Sequence, residues 1–241
     1  MIRFVPTVAD FSDEMVLTVP GFLAGRRSMQ RLGDGLRSAG YVTRHWDYPS
    51  LRGSILSHAA RLRHDLGELV ESSQVRRVHL VTHSMGGVIA RAAILGSGLE
   101  TRWREKCGRM VMMAPPNEGS RLTRIPLGPF ASWFPQLGEL SESPDSLVRC
   151  LPPLRQMKVG IIAAARDIVV SCQATHLPGE CDHITLPTTH QGLKSDPNAI
   201  ERTLCFLRSE SFQSEPATIP FESPASSQDR EPEHRSRDAA A

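Results

Sequence analysis

Val81-Thr82-His83-Ser84-Met85-Gly86-Gly87-Val88 decides the fold of this chain. It follows Val75-Arg76-Arg77-Val78-His79-Leu80, whose β-branched and apolar residues predict a buried strand. It leads into Ile89-Ala90-Arg91-Ala92-Ala93-Ile94-Leu95, which predicts a helix closed by Gly96 or Gly98. A serine between a strand and a helix, with glycine two residues on, matches the turn called a nucleophile elbow. Such a turn holds the serine in a strained conformation and pushes its hydroxyl out at the end of the sheet. Strand and helix approach closely there, so the neighbours must be small. Thr82 stands where the pattern has its first glycine, which makes the motif Thr-His-Ser-Met-Gly-Gly. The plainer alternative is an ordinary strand–turn–helix with an exposed serine.

Outward from the elbow, apolar runs alternate with amphipathic stretches. Residues 15–19 predict a buried strand ended by Pro20-Gly21, and residues 28–39 a helix with Met29, Leu32 and Leu36 inward, closed by Gly40. Residues 41–48 predict a second strand, and residues 54–72 a long helix with Ile55, Leu56, Ala59, Leu62, Leu66, Leu69 and Val70 on its inner stripe. Beyond the elbow helix come strands at 110–114, 159–165 and 183–186, then a closing helix over 198–207. The segment 121–157, rich in proline and without clean periodicity, reads as an irregular, partly helical cap. Strands buried on both faces and separated by helices predict an α/β fold: a doubly wound, mostly parallel sheet of about six strands. One domain is expected over 1–208, followed by a disordered tail over 209–241 in which Ser, Pro, Glu, Arg and Ala dominate.

At 241 residues the chain is long enough for one such domain, and 40% hydrophobic with 22% charged residues is ordinary for a globular protein. A formal net charge of +2 provides no pull toward nucleic acid, and the short arginine clusters read as solvated faces. Cys107, Cys150, Cys172, Cys181 and Cys205 form no metal-binding pattern. They read as buried thiols, with Cys172 and Cys181 near enough in sequence to bridge under oxidation. The N-terminus does not read as a signal peptide, and no apolar run reaches the roughly 18–20 residues that span a bilayer. A cytoplasmic protein with no integral membrane segment is the expectation; nothing in the sequence sets its oligomeric state.

In an open parallel sheet the functional loops follow the strand C-termini. Four features fall there: Ser84, Pro20-Gly21, Asp167 and His190. A serine hydroxyl attacks well only when a base takes its proton, and the base needs an acid to fix its tautomer. Asp167, just past the 159–165 strand, is the expected acid, with Asp182 the alternative and Glu180 a competitor. His190, in a loop of small residues after the last strand, is the expected base. His79 and His83 lie too close along the chain to turn onto Ser84, and His183 begins a strand. Acyl transfer also needs oxyanion donors. The backbone N–H of Met85 is one candidate; Phe22 is the other, with Leu23 behind it. Phe22, Leu23, Phe130, Trp133 and Phe134 either line an apolar acyl pocket or pack as core and cap.

Together these residues resemble the α/β-hydrolase superfamily, in particular its small lipase- and esterase-like members. Val19-Pro20-Gly21-Phe22 looks like the oxyanion loop, with proline in place of the histidine often found before that glycine. Ala114-Pro115-Pro116-Asn117-Glu118-Gly119-Ser120 is similar to an element of bacterial lipases and of proteins related to the GPI inositol-deacylases. The order Ser84, Asp167, His190 is that of the superfamily. Over residues 14–208 the resemblance implies hydrolysis of a carboxylic ester through a serine acyl-enzyme, on a small-molecule or lipid-like substrate, with no metal or organic cofactor. The sequence departs from that pattern in that the first two antiparallel strands of a full-sized member have no counterpart, so a trimmed sheet is expected. Few residues separate Gly160 from Asp167, which keeps Asp182 open as the acid. An acyltransferase or thioesterase using the same groups, or a non-catalytic binding protein on the same fold, are the other readings.

Overall fold

The computed structural model describes residues 11–99, 101–124 and 135–213. Six strands form one sheet in the order β2-β1-β3-β4-β5-β6, every neighbouring pair parallel. They are β1 (Phe11–Val19), β2 (Tyr41–His45), β3 (Arg77–His83), β4 (Cys107–Met113), β5 (Lys158–Ala164) and β6 (Asp182–Leu186). The helices are α1 (Gln30–Ser38), α2 (Ile55–Glu71), α3 (Met85–Leu95), α4 (Thr101–Lys106), α5 (Pro135–Glu139), α6 (Leu147–Cys150) and α7 (Pro197–Ser209). From β1 the chain moves outward to β2, then returns past β1 to β3 and continues in the other direction. That reversal opens a crevice at the carboxyl ends of β1 and β3, the position where such sheets carry their ligands.

Helices cover both faces. One core packs Leu17, Leu80 and Ile161 of the strands against Leu62 and Leu66 of α2, Val88 and Ile89 of α3, and Trp103 of α4. The other packs Val16, Val81 and Val111 against Leu32 and Leu36 of α1 and Phe206 and Leu207 of α7. Neighbouring residues of one strand enter opposite cores, so β1, β3 and β4 are buried on both faces over their carboxyl-terminal halves. Each fully buried Leu or Phe contributes roughly 1.5–3 kcal/mol.

Most differences from expectation lie at element ends. β1 begins at Phe11 because residues 11–14 alternate in exposure and carry an irregularity in pairing with β2 before Met15. β2 stops at His45, although Trp46 N–H still donates to Thr18 C=O at 2.9 Å. Helix α2 starts on the cap Ser54, whose hydroxyl accepts from Ser57 N–H at 3.1 Å. Its buried face is Ile55, His58, Ala59, Leu62, Leu66 and Val70, while Leu56, one helical step off that stripe, is exposed. Helix α4 has only six residues, too few to show a period, and buries Trp103. In the expected cap, α5 caps α2: Glu139 accepts Ile55 N–H at 2.7 Å, and buried Gln136 donates to Gly53 C=O. Phe130, Trp133 and Phe134 lie outside the described residues.

The domain also runs past 208. Phe212 is buried against Phe206 with ring centroids 4.9 Å apart, and its N–H donates to Asp182 Oδ2 at 2.7 Å. Residues 210–213 therefore belong to the fold, and 214–241 lie outside the described residues. All five cysteines are free, none is fully buried, and Cys172 and Cys181 are unbridged. Among the described residues no helix is long and apolar enough to cross a membrane.

Candidate active site

Ser84 sits in the turn between β3 and α3 with φ 53° and ψ −130°. A non-glycine residue there costs about 1–3 kcal/mol and persists only when its surroundings enforce it. They do. Ser84 N–H donates to Met113 C=O at 2.8 Å, and Ser84 C=O accepts Gly87 N–H at 2.9 Å. A Cβ on Gly86 would come within 2.5 Å of the Pro20 and Val19 carbonyl oxygens, and one on Gly21 within 2.9 Å of Ser84 Cβ. Only glycine lets the β1 loop, the nucleophile turn and α3 meet this closely. The second glycine of the elbow also explains Thr82: a Cβ on Gly87 would lie 3.2 Å from Thr82 Oγ1, so Gly87 leaves the room that the threonine needs. Ser84 itself is 8% exposed.

Asp167, at the carboxyl end of β5, points at His190, which follows β6. His190 Nδ1 and Asp167 Oδ2 are 2.6 Å apart, and the two side chains are only 6% and 1% exposed. The other carboxylate oxygen, Oδ1, accepts the N–H groups of Val169 and Val170, both at 2.8 Å. With Oδ1 occupied by two backbone donors, the carboxylate form of Asp167 accepts the His190 Nδ1 hydrogen on Oδ2. That leaves Nε2 as the imidazole's free lone pair.

Asp182 goes elsewhere. It begins β6 rather than ending it, a strand's length from the crevice, and its carboxylate accepts His183 N–H, Phe212 N–H and the Ser211 hydroxyl. Glu180 is bonded to His176 at 2.7 Å and to Leu177 N–H. Asp167 is the carboxylate on His190.

Of the expected oxyanion donors, Met85 is the first residue of α3, where helix N–H groups have no intrahelical acceptor. Phe22 follows Gly21, which abuts Ser84. Leu23 N–H is taken by the Ser50 hydroxyl at 3.1 Å, so it is not a free donor. As a pocket candidate, Phe22 packs partly against the first core while Leu23 is 67% exposed.

Several supports of this arrangement have no local sequence signal. Tyr48 donates its hydroxyl to Pro20 C=O at 3.0 Å and fixes the β1 loop; burial raises its pKa, so it remains a donor. The Ala114–Ser120 motif acts through Asn117, which accepts from buried Arg91 at 2.9 Å and donates to Thr175 C=O at 2.7 Å. Burial lowers the Arg91 pKa to about 10, still charged at neutral pH. Ser120 Oγ and Arg121 N–H both donate to Val169 C=O, the residue whose N–H grips Asp167. The strand-end motif therefore braces the acid from behind.

His83 is the clearest omission. Its Nε2–H donates to the backbone carbonyl of His190 at 2.9 Å, and the two rings lie 4.8 Å apart. Burial first, and the nearby His190 charge second, push its pKa from 6.5 down to about 3. His79 is likewise lowered, mainly by burial. Its Nδ1 accepts Arg109 N–H at 2.9 Å, so Nε2–H donates to Glu14 at 3.0 Å. Because the fold holds the pKa of both histidines below 6.5, the unfolded chain takes up their protons at higher pH than the folded chain does. Their stabilisation is complete above that pH and is lost as pH falls through the window down to about 3 for His83. The melting temperature is therefore expected to drop between about pH 7.5 and 5, and a flat profile in a thermal scan contradicts it.

A cavity of about 720 Å³ lies at the other end of the sheet, lined by Arg77, Cys107, Arg109 and Lys158 near the strand starts, away from Ser84. Among the described residues two groups bring three possible metal ligands within 4.8 Å: His176, Glu180 and His183, and His64, Asp65 and Glu68. Neither includes Ser84, Asp167 or His190.

A model of the alpha/beta hydrolase family matches residues 16–207, the whole sheet but for the first residues of β1, with the crevice. The chain belongs to the alpha/beta hydrolase family. No curated protein matches it by sequence. Several solved structures resemble it in fold. One is the lipase BlEst2 of Bacillus licheniformis in mature form, with TM-score 0.64, 14% identity, and 84% of this chain and 94% of that one covered. In its propeptide form the match spans 53% of the longer chain. The metagenomic carboxyl esterase MGS0156 has TM-score 0.57 and 21% identity, covering 79% of this chain and 68% of that one. The type II thioesterase YbtT of the yersiniabactin pathway has TM-score 0.57 and 16% identity, covering 84% and 95%. At these identities the likeness concerns the fold alone.

Proposed function

We propose that this alpha/beta hydrolase is a serine esterase of lipase-like type, with Ser84 as nucleophile, His190 as base and Asp167 as the acid that orients it. The observation that carries the reading is the buried 2.6 Å contact between His190 Nδ1 and Asp167 Oδ2, at the crevice where the strained Ser84 turn lies. In the first half-reaction His190 Nε2 takes the Ser84 proton as Oγ attacks the ester carbonyl. The oxyanion that forms accepts from Met85 and Phe22 N–H, donors of a kind worth roughly 3–4 kcal/mol each. The imidazolium then protonates the departing alkoxide, which leaves an acyl group on Ser84. Water, deprotonated by the same imidazole, releases the acid and restores the serine. No metal or organic cofactor enters these steps.

The neighbours whose names include lipase, carboxyl esterase and thioesterase support acyl transfer in general, and a carboxylic ester is our reading within it. Turnover of p-nitrophenyl esters from short to long acyl chains, run beside an acyl thioester, tests the choice. Ester hydrolysis exceeding thioester hydrolysis is expected. Thioester turnover with no ester turnover contradicts the ester assignment.

A further inference from the structure

We infer that His83 is a positioning residue for the base: its Nε2–H holds the backbone carbonyl of His190, and with it the place of that imidazole next to the strand end that carries Ser84. The inference rests on the hydrolase reading above and adds to it a residue that no part of the Ser–His–Asp scheme requires.

Asp167 grips His190 at Nδ1, which fixes one edge of the buried ring but not the backbone that carries it. A second anchor acts on the backbone of the same residue. His83 provides it at 2.9 Å, across a sequence separation of 107 residues and away from solvent. The donor direction is unambiguous, since a carbonyl only accepts and Nε2 must therefore carry the hydrogen. The ring stays neutral, so no charge on it competes with the imidazolium that forms on His190, 4.8 Å away.

The other nitrogen shows that the residue is held there against its own cost. His83 Nδ1 is buried with no hydrogen-bond partner. An orphaned buried nitrogen is unfavourable, and an apolar side chain of similar size would remove the penalty. The ring also fills the space beside the β1 loop: a Cβ on Gly21 would come within 3.1 Å of His83 Nδ1 and 2.9 Å of Ser84 Cβ. One side chain thus touches the base, the turn of the nucleophile and the loop that carries Phe22. Its neighbour in sequence is Ser84 itself, so any movement of β3 carries nucleophile and base together.

Three variants separate a donor from a space-filler. In His83→Gln the amide nitrogen reaches the place of Nε2; in His83→Asn it reaches only the place of Nδ1; His83→Leu has no donor. Steady-state turnover of a p-nitrophenyl ester and the rate of fluorophosphonate labelling at Ser84 are measured on each. Losing the anchor is expected to lower kcat about 10- to 100-fold in the Leu and Asn variants, the order of a small misplacement of a catalytic group. KM is expected to change little, and the Gln variant to recover most of the loss. If the Leu variant does not fold, the Gln and Asn pair still decides. Equal rates across the folded variants, or a Leu variant as fast as wild type, overturn the role of His83 alone. A wild-type chain that is neither labelled nor active overturns the hydrolase reading beneath it.

Discussion

Alanine at His190 is expected to lower ester turnover by about 10⁴- to 10⁶-fold, the range seen when a serine-hydrolase base is removed. The expectation follows from what remains. Ser84 would keep its strained turn, its bonds to Met113 and Gly87 and its place at the α3 N-terminus, but nothing would take its proton as it attacks. The Met85 and Phe22 donors would still stabilise an oxyanion, which leaves residual catalysis rather than none. Steady-state kinetics on the folded variant read the effect directly. Wild-type turnover in that variant would assign the base to another group.

Asparagine at Asp167 is expected to cost about 10⁴-fold in kcat with the fold intact. Asp167 Oδ1 accepts Val169 and Val170 N–H, and an asparagine carbonyl keeps both of those bonds. Its amide NH₂ must then occupy the place of Oδ2 and face His190 Nδ1. A donor there forces the imidazole into the opposite tautomer, with its hydrogen on Nε2 and no lone pair left for Ser84. Asp182→Asn is the matched control. It is expected to leave kcat near wild type and to lower stability, because Asp182 holds Phe212 N–H and Ser211 at the far end of the sheet. The reverse pattern would move the acid to Asp182.

What could be read in advance was whatever a short window contains. The alternation of apolar strands and amphipathic helices is local, and it led to the parallel sheet and to the strand ends that hold Ser84, Asp167 and His190. Asp182 rivals Asp167 in the sequence because few residues separate Gly160 from Asp167 and Asp182 lies in the next loop. The deciding fact is which end: in a parallel sheet a residue that begins β6 lies a strand's length from one that ends β5. The supporting residues were out of reach for a different reason. Tyr48 on Pro20, Asn117 between Arg91 and Thr175, and His83 on His190 are bonds between residues 26 to 107 positions apart. Their partners emerge only when the sheet is assembled. Composition places Phe212 in a polar tail, whereas a single aromatic beside Phe206 is enough to extend the core.

Ser84 as nucleophile is tested most directly by one measurement: mass-spectrometric mapping of the wild-type chain after reaction with a fluorophosphonate. The adduct is predicted on Ser84, formed in the folded chain, absent after heat denaturation and absent in Ser84→Ala. An adduct on another residue, or a folded chain that stays unmodified, would contradict it.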